Sequence, residues 1–379
     1  MEAITDYPAS ILQRSDFDRL LEALRVRGYL TVGPRIVDGA IVLDEVHSIT
    51  DFPIGRSAQI GAGMYRLTQR ADKAVFGYVV GPTSAKKWLF PPKRTLWRAK
   101  IEEGKAAFQT SPQVPQKTAL IGLRACDLQA IAVQDKVFLQ GSHPDPYYKS
   151  MRQRLLLVVV DCAEPAPTCF CTSVGGNPAA NRGYDVRITE LLDEAGHRFI
   201  LQPGSELGLE IVGALPTLAA TSQELAHRES INQDAETAIT KHLDTTGIKE
   251  LLYDNAQHPR WTEVASRCLA CGNCTMACPT CFCSSVDTKT DLGSSEIRQE
   301  RSWDSCFNED FSYIHGGVVR LSTMSRYRQW MTHKLASWTD QFGVMGCVGC
   351  GRCIAWCPVG IDITEEVAAI RSQGANTNA

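Results

Sequence analysis

Two cysteine runs of identical spacing constrain this chain more than anything else in it: Cys268-x2-Cys271-x2-Cys274-x3-Cys278-Pro279 and Cys347-x2-Cys350-x2-Cys353-x3-Cys357-Pro358. Three thiolates at steps of three let one loop wrap a cube of iron and sulfide. The fourth cysteine, set before a proline, leaves along the chain to ligate the other cube. The spacing therefore predicts two [4Fe-4S] clusters with crossed ligands. Cys268, Cys271, Cys274 and Cys357 form one set, and Cys347, Cys350, Cys353 and Cys278 form the other. Structural zinc sites use separated Cys-x2-Cys pairs around a tetrahedron, which a triplet followed by Cys-Pro fits poorly. Gly272, Gly346, Gly349 and Gly351 put small residues in both loops, so that backbone N–H groups can approach the sulfides.

The chain has 15 cysteines in 379 residues, an odd number concentrated in tight groups. Residues 1–7 lack a basic segment followed by an apolar stretch, so no secretory signal is expected and the location reads as cytoplasmic. In a reducing compartment, clustered cysteines are metal ligands or redox groups rather than disulfides. The net charge of −3 gives no electrostatic case for nucleic acid or an anionic membrane. The longest apolar runs, such as Leu155–Val160, fall far short of the ~20 residues of a membrane span.

The length favours two domains. A first helix is expected with Ser15 as N-cap, an apolar face of Phe17, Leu20, Leu21 and Leu24, and Gly28 at its end. Buried strands are expected over residues 74–80, 118–123, 155–160 and 198–201, where β-branched and apolar residues run together. From residue 221 the texture turns polar with helical spacing, as over 222–243 and 248–253, and few strand-like runs follow. The fold class is therefore α+β. A mixed α/β domain over residues 1–215 is followed by a mainly helical, ferredoxin-like domain over 216–379. Residues 279–346 separate the two runs by far more than a compact bacterial ferredoxin would, which points to a helical ferredoxin module.

The remaining cysteines are Cys126, Cys162, Cys169, Cys171, Cys281, Cys283 and Cys306. Cys126 and Cys162 each follow a predicted strand. If those strands are neighbours, both emerge at one sheet edge near the Cys169-Phe170-Cys171 loop. Four thiols there are candidate ligands of a third cluster; small buried packing residues are the other reading. Cys281, Cys283 and Cys306 are read as packing residues, as redox thiols, or as a further site completed by a non-cysteine ligand. A short repeat links the two groups, since Thr-Cys-Phe-Cys-Thr-Ser-Val at 168–174 recurs as Thr-Cys-Phe-Cys-Ser-Ser-Val at 280–286.

Other features carry less chemistry. His315 reads as an ordinary core or surface histidine, and the basic-aromatic stretch 320–334 as a solvated or subunit-facing helix. Gly61-Ala62-Gly63 lacks the third glycine of a dinucleotide fingerprint, and no Gly-x4-Gly-Lys phosphate loop occurs. A nucleotide or flavin would therefore be bound by another subunit.

Several segments together resemble the β (iron–sulfur) subunit of cytoplasmic sulfhydrogenases, the NAD(P)-linked [NiFe] hydrogenases, and its close relative in anaerobic sulfite reductase. They are Gly81-Pro82, residues 89–92, 122–128 and 168–176, the first run to Cys283, residues 303–306, 311–317 and 325–335, and residues 346–366. The resemblance implies a heteromeric complex. A flavin subunit that oxidises NAD(P)H, this chain as a single-electron relay, and the small and large subunits of a [NiFe] hydrogenase would be its parts. The same relay serving a sulfite- or sulfur-reducing enzyme is the alternative. The paired Cys-x2-Cys motifs of a nickel–iron subunit do not occur, so no substrate-activating site of its own is expected, and none of its residues is read as catalytic.

Overall fold

The computed structural model describes residues 7–102, 105–109, 114–290, 293 and 295–374. Eight strands form a mixed sheet in the order β12 (Leu218–Ala219), β1 (Ser10–Gln13), β11 (Gly196–Pro203), β10 (Val186–Asp193), β9 (Leu155–Val160), β8 (Thr118–Leu123), β2 (Leu30–Val37) and β3 (Ala40–Glu45). The central strands β10, β9, β8 and β2 are parallel, and the flanking pairs are antiparallel. β9 is apolar at every position because helices cover both faces of the sheet. Leu156, Val158 and Val160 pack with Phe17, Leu20 and Leu24 of the helix Phe17–Val26, whereas Leu155, Leu157 and Val159 pack with Leu128 and Ile131 of the helix Ala125–Leu139.

Strands appear at 118–123 and 155–160 as the sequence predicts, and 198–201 lies inside β11. Residues 74–80 do not form a strand. They are a buried loop whose backbone groups are satisfied by side chains: Val75 and Phe76 donate to the Glu190 carboxylate at 2.6 and 2.8 Å, and the Phe76 and Tyr78 carbonyls accept from Arg124 at 2.6 and 2.9 Å. Apolar content alone cannot tell this from a strand. Ser15 is not the N-cap either, because it sits within the 3-10 turn Arg14–Asp16 that leads into the first helix.

The second half of the chain builds its own core from Trp261, Val264, Tyr327, Trp330, Leu335 and Ile370, drawn from the helices Arg260–Arg267, Thr323–Thr332 and Ile363–Gly374 and the turn after Thr332. The helix Thr323–Thr332 buries one face, through Arg326, Tyr327, Trp330 and Met331, while Gln329 on the opposite face is exposed. Between the cysteine runs lies a β-hairpin where few strands were expected, β13 (Ser284–Thr290) and β14 (Glu296–Trp303). β14 pairs with β6 (Lys93–Glu102), which pairs with β7 (Lys105–Gln109), so one four-stranded sheet draws on residues either side of position 215. Most of β13 is polar and exposed, so it carries no apolar alternation for sequence reading to find.

Candidate iron–sulfur centres

The two cysteine runs fold alike. In each, the residue before the second cysteine is left-handed (Ala270 at φ 52°, Gly349 at φ 63°), and so is the glycine after it (Gly272 at φ 74°, Gly351 at φ 71°). Each of those glycines caps a one-turn helix, Asn273–Met276 or Arg352–Ala355, which carries the third cysteine. The reversals turn backbone amides toward the sulfurs. The amide of Ala270 donates to Cys268 Sγ at 3.4 Å, and that of Ile361 donates to Cys357 Sγ at 3.3 Å. N–H···S contacts of this kind stabilise charge on a cluster and its ligands.

Cys268, Cys271, Cys274 and Cys357 line one cavity of about 410 Å³, counting its opening, with Cys353 and the side chains of Tyr327 and Trp330 also in its wall. The fourth cysteine of the second run thus stands with the triplet of the first. In the other direction, the Cys353 thiol is raised first by burial and then by the Cys347, Cys350 and Cys278 sulfurs around it. Burial likewise raises the thiols of Cys268, Cys274 and Cys350, and pushes Cys347 up to about 12. Cys278 goes the other way. A hydrogen bond from Cys281, then the charge of Lys334, hold its thiol well below the ordinary value.

Lys334 is the main residue the sequence did not reveal. It sits in a π-helical turn, His333–Ser337, and its side chain is 2% exposed. Its ammonium donates to Cys278 Sγ at 3.1 Å, to Thr280 Oγ1 at 3.2 Å and to the Gly346 carbonyl at 3.2 Å. Burial alone would lower its pKa; the Cys278, Cys281 and Cys347 sulfurs together outweigh it and hold the group cationic. Lys86 is a second buried lysine on this side, bonded to the Thr275 and Met276 carbonyls and lying over the Trp303 ring.

Cys126, Cys162, Cys169 and Cys171 line a second hollow together. Cys281, Cys283 and Cys306 cluster beside Cys278: Cys306 donates to Cys283, and Cys281 to Cys278. His315 is exposed. Gly61-Ala62-Gly63 is the tip of the hairpin β4 (Arg56–Gly61) and β5 (Met64–Gln69). A Cβ on Gly63 would lie 2.8 Å from the Cys357 carbonyl, so the tip packs on the second run. Among the described residues, no three His, Cys, Asp or Glu side chains stand at the spacing of ligands to a single metal ion. Thiols set around a hollow suit a multi-iron cube, which presents a separate iron to each, better than one zinc ion.

The description "4Fe-4S dicluster domain" matches residues 267–361. Sulfhydrogenase 2 subunit beta of Pyrococcus furiosus is 30% identical over 291 residues, which is 75% of this chain and 83% of that protein. The chain belongs to the sulfhydrogenase β-subunit family. No solved structure matches it. As an iron–sulfur protein of this family it carries its dicluster domain between the helix Arg260–Arg267 and the helix Ile363–Gly374. No helix among its described residues is long and apolar enough to cross a membrane.

The second run is also tied to the N-terminal half of the chain. Arg352, 2% exposed, donates to the Gly81 carbonyl and to Asp127 Oδ1, each at 2.9 Å. The first run has Asn273 at the matching place, so the difference between the runs was the one signal in the sequence.

Proposed function

We propose that this chain is the electron-transferring iron–sulfur subunit of a cytoplasmic [NiFe] hydrogenase complex. It relays single electrons between a flavin subunit that oxidises NAD(P)H and the hydrogenase small subunit. Cys268, Cys271, Cys274 and Cys357 would hold one [4Fe-4S] cluster, and Cys347, Cys350, Cys353 and Cys278 the other. When bound, the clusters supply reversible one-electron transfer without bond making. The protein's part is to hold the two centres close and keep them largely dry. The short helices Asn273–Met276 and Arg352–Ala355 pack on each other, with the cysteine runs on either side. Tyr327 and Trp330 wall the inner side of the first cavity, and amide donors face Cys268 and Cys357. Residues 1–215 and 216–379 would be the two domains, joined by Arg352 and the shared four-stranded sheet.

The observation that carries this reading is the presence of Cys357 in the cavity of the first triplet. Crossed ligation brings two centres side by side, and a pair of adjacent one-electron centres is useful only with a donor and an acceptor at its ends. Anoxic purification of the native protein should bring with it a flavoprotein and the small and large [NiFe] subunits. A partner set of sulfite- or sulfur-reducing subunits in their place would overturn the hydrogenase assignment. In the complex, Cys271→Ala should block hydrogen-linked NAD(P) turnover and leave flavin-dependent dye reduction intact; normal turnover would contradict the relay.

A further inference from the structure

Cys126, Cys162, Cys169 and Cys171 come from separate stretches of chain and meet at one edge of the sheet. β8 and β9 are neighbouring parallel strands, so Cys126 and Cys162, just beyond their ends, leave by the same edge. Cys169 and Cys171 return to that edge in the loop that enters the 3-10 turn Cys171–Val174. All four line a hollow of about 380 Å³, counting its opening, with Arg124, Gly349 and Cys350 in its wall. Cysteines that serve as packing fill space. These ring it.

The charge around the hollow is unbalanced in a telling direction. Arg124 is 3% exposed, and its guanidinium donates to the carbonyls of Asp161 and Phe76 at 2.6 Å, Tyr78 at 2.9 Å and Val160 at 3.5 Å. No carboxylate forms an ion pair with it among the described residues, and its Nε has no hydrogen-bond partner. Arg352 stands beside Cys126 and Cys350; it pairs with Asp127 at 2.9 Å and leaves Nη1 without a partner. A buried cation without a counter-ion is costly. A cluster held by four thiolates is a net anion and supplies the missing charge.

We propose that Cys126, Cys162, Cys169 and Cys171 hold a third iron–sulfur cluster, of the [4Fe-4S] class, abutting the second. The contact between the two sites is direct. The Phe170 amide donates to the Gly349 carbonyl at 2.8 Å, and Cys169 Sγ donates to the Cys350 carbonyl at 3.9 Å. A Cβ on Gly349 would fall 2.5 Å from Cys171 Cα, so the two loops touch backbone to backbone. Cys350 faces the hollow while belonging to the second ligand set. The role of the third cluster rests on the relay reading, although its existence does not. The three sites would form a row from the N-terminal sheet through the second set to the first, where Cys271 is the exposed cysteine. An electron enters at one end and leaves at the other with no bond made.

The test is iron, acid-labile sulfide and zinc per chain in the full-length protein, prepared anoxically, with EPR of the reduced state. Unaltered protein should carry at least about twelve irons per chain. Cys162→Ser and Cys169→Ser should each lose about four irons and one EPR signal, the others remaining. Unaltered protein with about eight irons, or with zinc that Cys162→Ser removes, would overturn the proposal whether or not the variants fold. Cys271→Ala separates the two readings. Iron lost from Cys271→Ala but not from Cys162→Ser overturns the third cluster and leaves the relay. Iron lost from Cys162→Ser but not from Cys271→Ala supports the third cluster and overturns the ligand assignment of the first.

Discussion

Replacing Lys334 by methionine should lower the reduction potential of the cluster next to Cys278 by about 100 mV. Methionine keeps the length and apolar bulk of a side chain that is 2% exposed, so packing is largely preserved. It removes the ammonium that donates to Cys278 Sγ at 3.1 Å. That positive charge stabilises the more negative, reduced cluster. With an effective dielectric of about 20 and roughly 6 Å from Nζ to the cluster centre, the stabilisation is about 2.8 kcal/mol. At about 1.4 kcal/mol and 59 mV per tenfold change for one electron, this corresponds to ~120 mV. Loss of the N–H···S bond acts in the same direction, while water entering the vacated space acts against it. The assay is an EPR-monitored redox titration of anoxically purified protein, with Cys271→Ala used to identify which signal belongs to the first set. Lys334→Arg keeps the charge and should stay within about 30 mV of the unaltered protein, a fraction of the Coulomb shift. A shift below about 20 mV in Lys334→Met, or a shift confined to the first cluster, would refute the electrostatic reasoning.

Gly349→Ala should destabilise the junction between the two halves. Its φ of 63° already disfavours a side chain, and the new Cβ would lie 2.5 Å from Cys171 Cα, a backbone atom that cannot swing aside. The combined cost of roughly 2–4 kcal/mol should appear as a thermal transition several degrees lower, and an unchanged transition would refute it. Cys283, whose thiol a hydrogen bond from Cys306 pulls down to about 7, should react with iodoacetamide at a rate that rises through that pH in metal-free protein. The sign follows from the thiolate being the nucleophile, protonated and slow below the midpoint. Peptide mass spectrometry should find the midpoint moved upward in Cys306→Ala; no movement would discount the hydrogen bond.

The sequence by itself carried the chemistry of the dicluster domain. Cysteine spacing is a local property, and three thiols at steps of three commit a loop to one kind of object before any packing is considered. β8 and β9 were legible for a similar reason, since runs almost wholly of apolar and small residues must be covered on both faces. What failed were the places where backbone or charge is satisfied from far along the chain. Residues 74–80 look like a strand until Glu190 and Arg124 take up their hydrogen bonds. The polar hairpin β13–β14 exists because β6, some 200 positions away, offers it a partner edge. Lys334 gives no signal in its own neighbourhood, because its partners Cys278 and Thr280 lie 56 and 54 positions upstream. Cys126, Cys162, Cys169 and Cys171 fall between these cases. Their sequence contexts allowed both a cluster and a packed core. Only the pairing of β8 with β9 brought them to one hollow, and only the tertiary structure set beside it Arg124, which has no ion pair among the described residues. Ligand type is written into the chain locally. The meeting of distant ligands, and the charge that surrounds them, is decided by the fold.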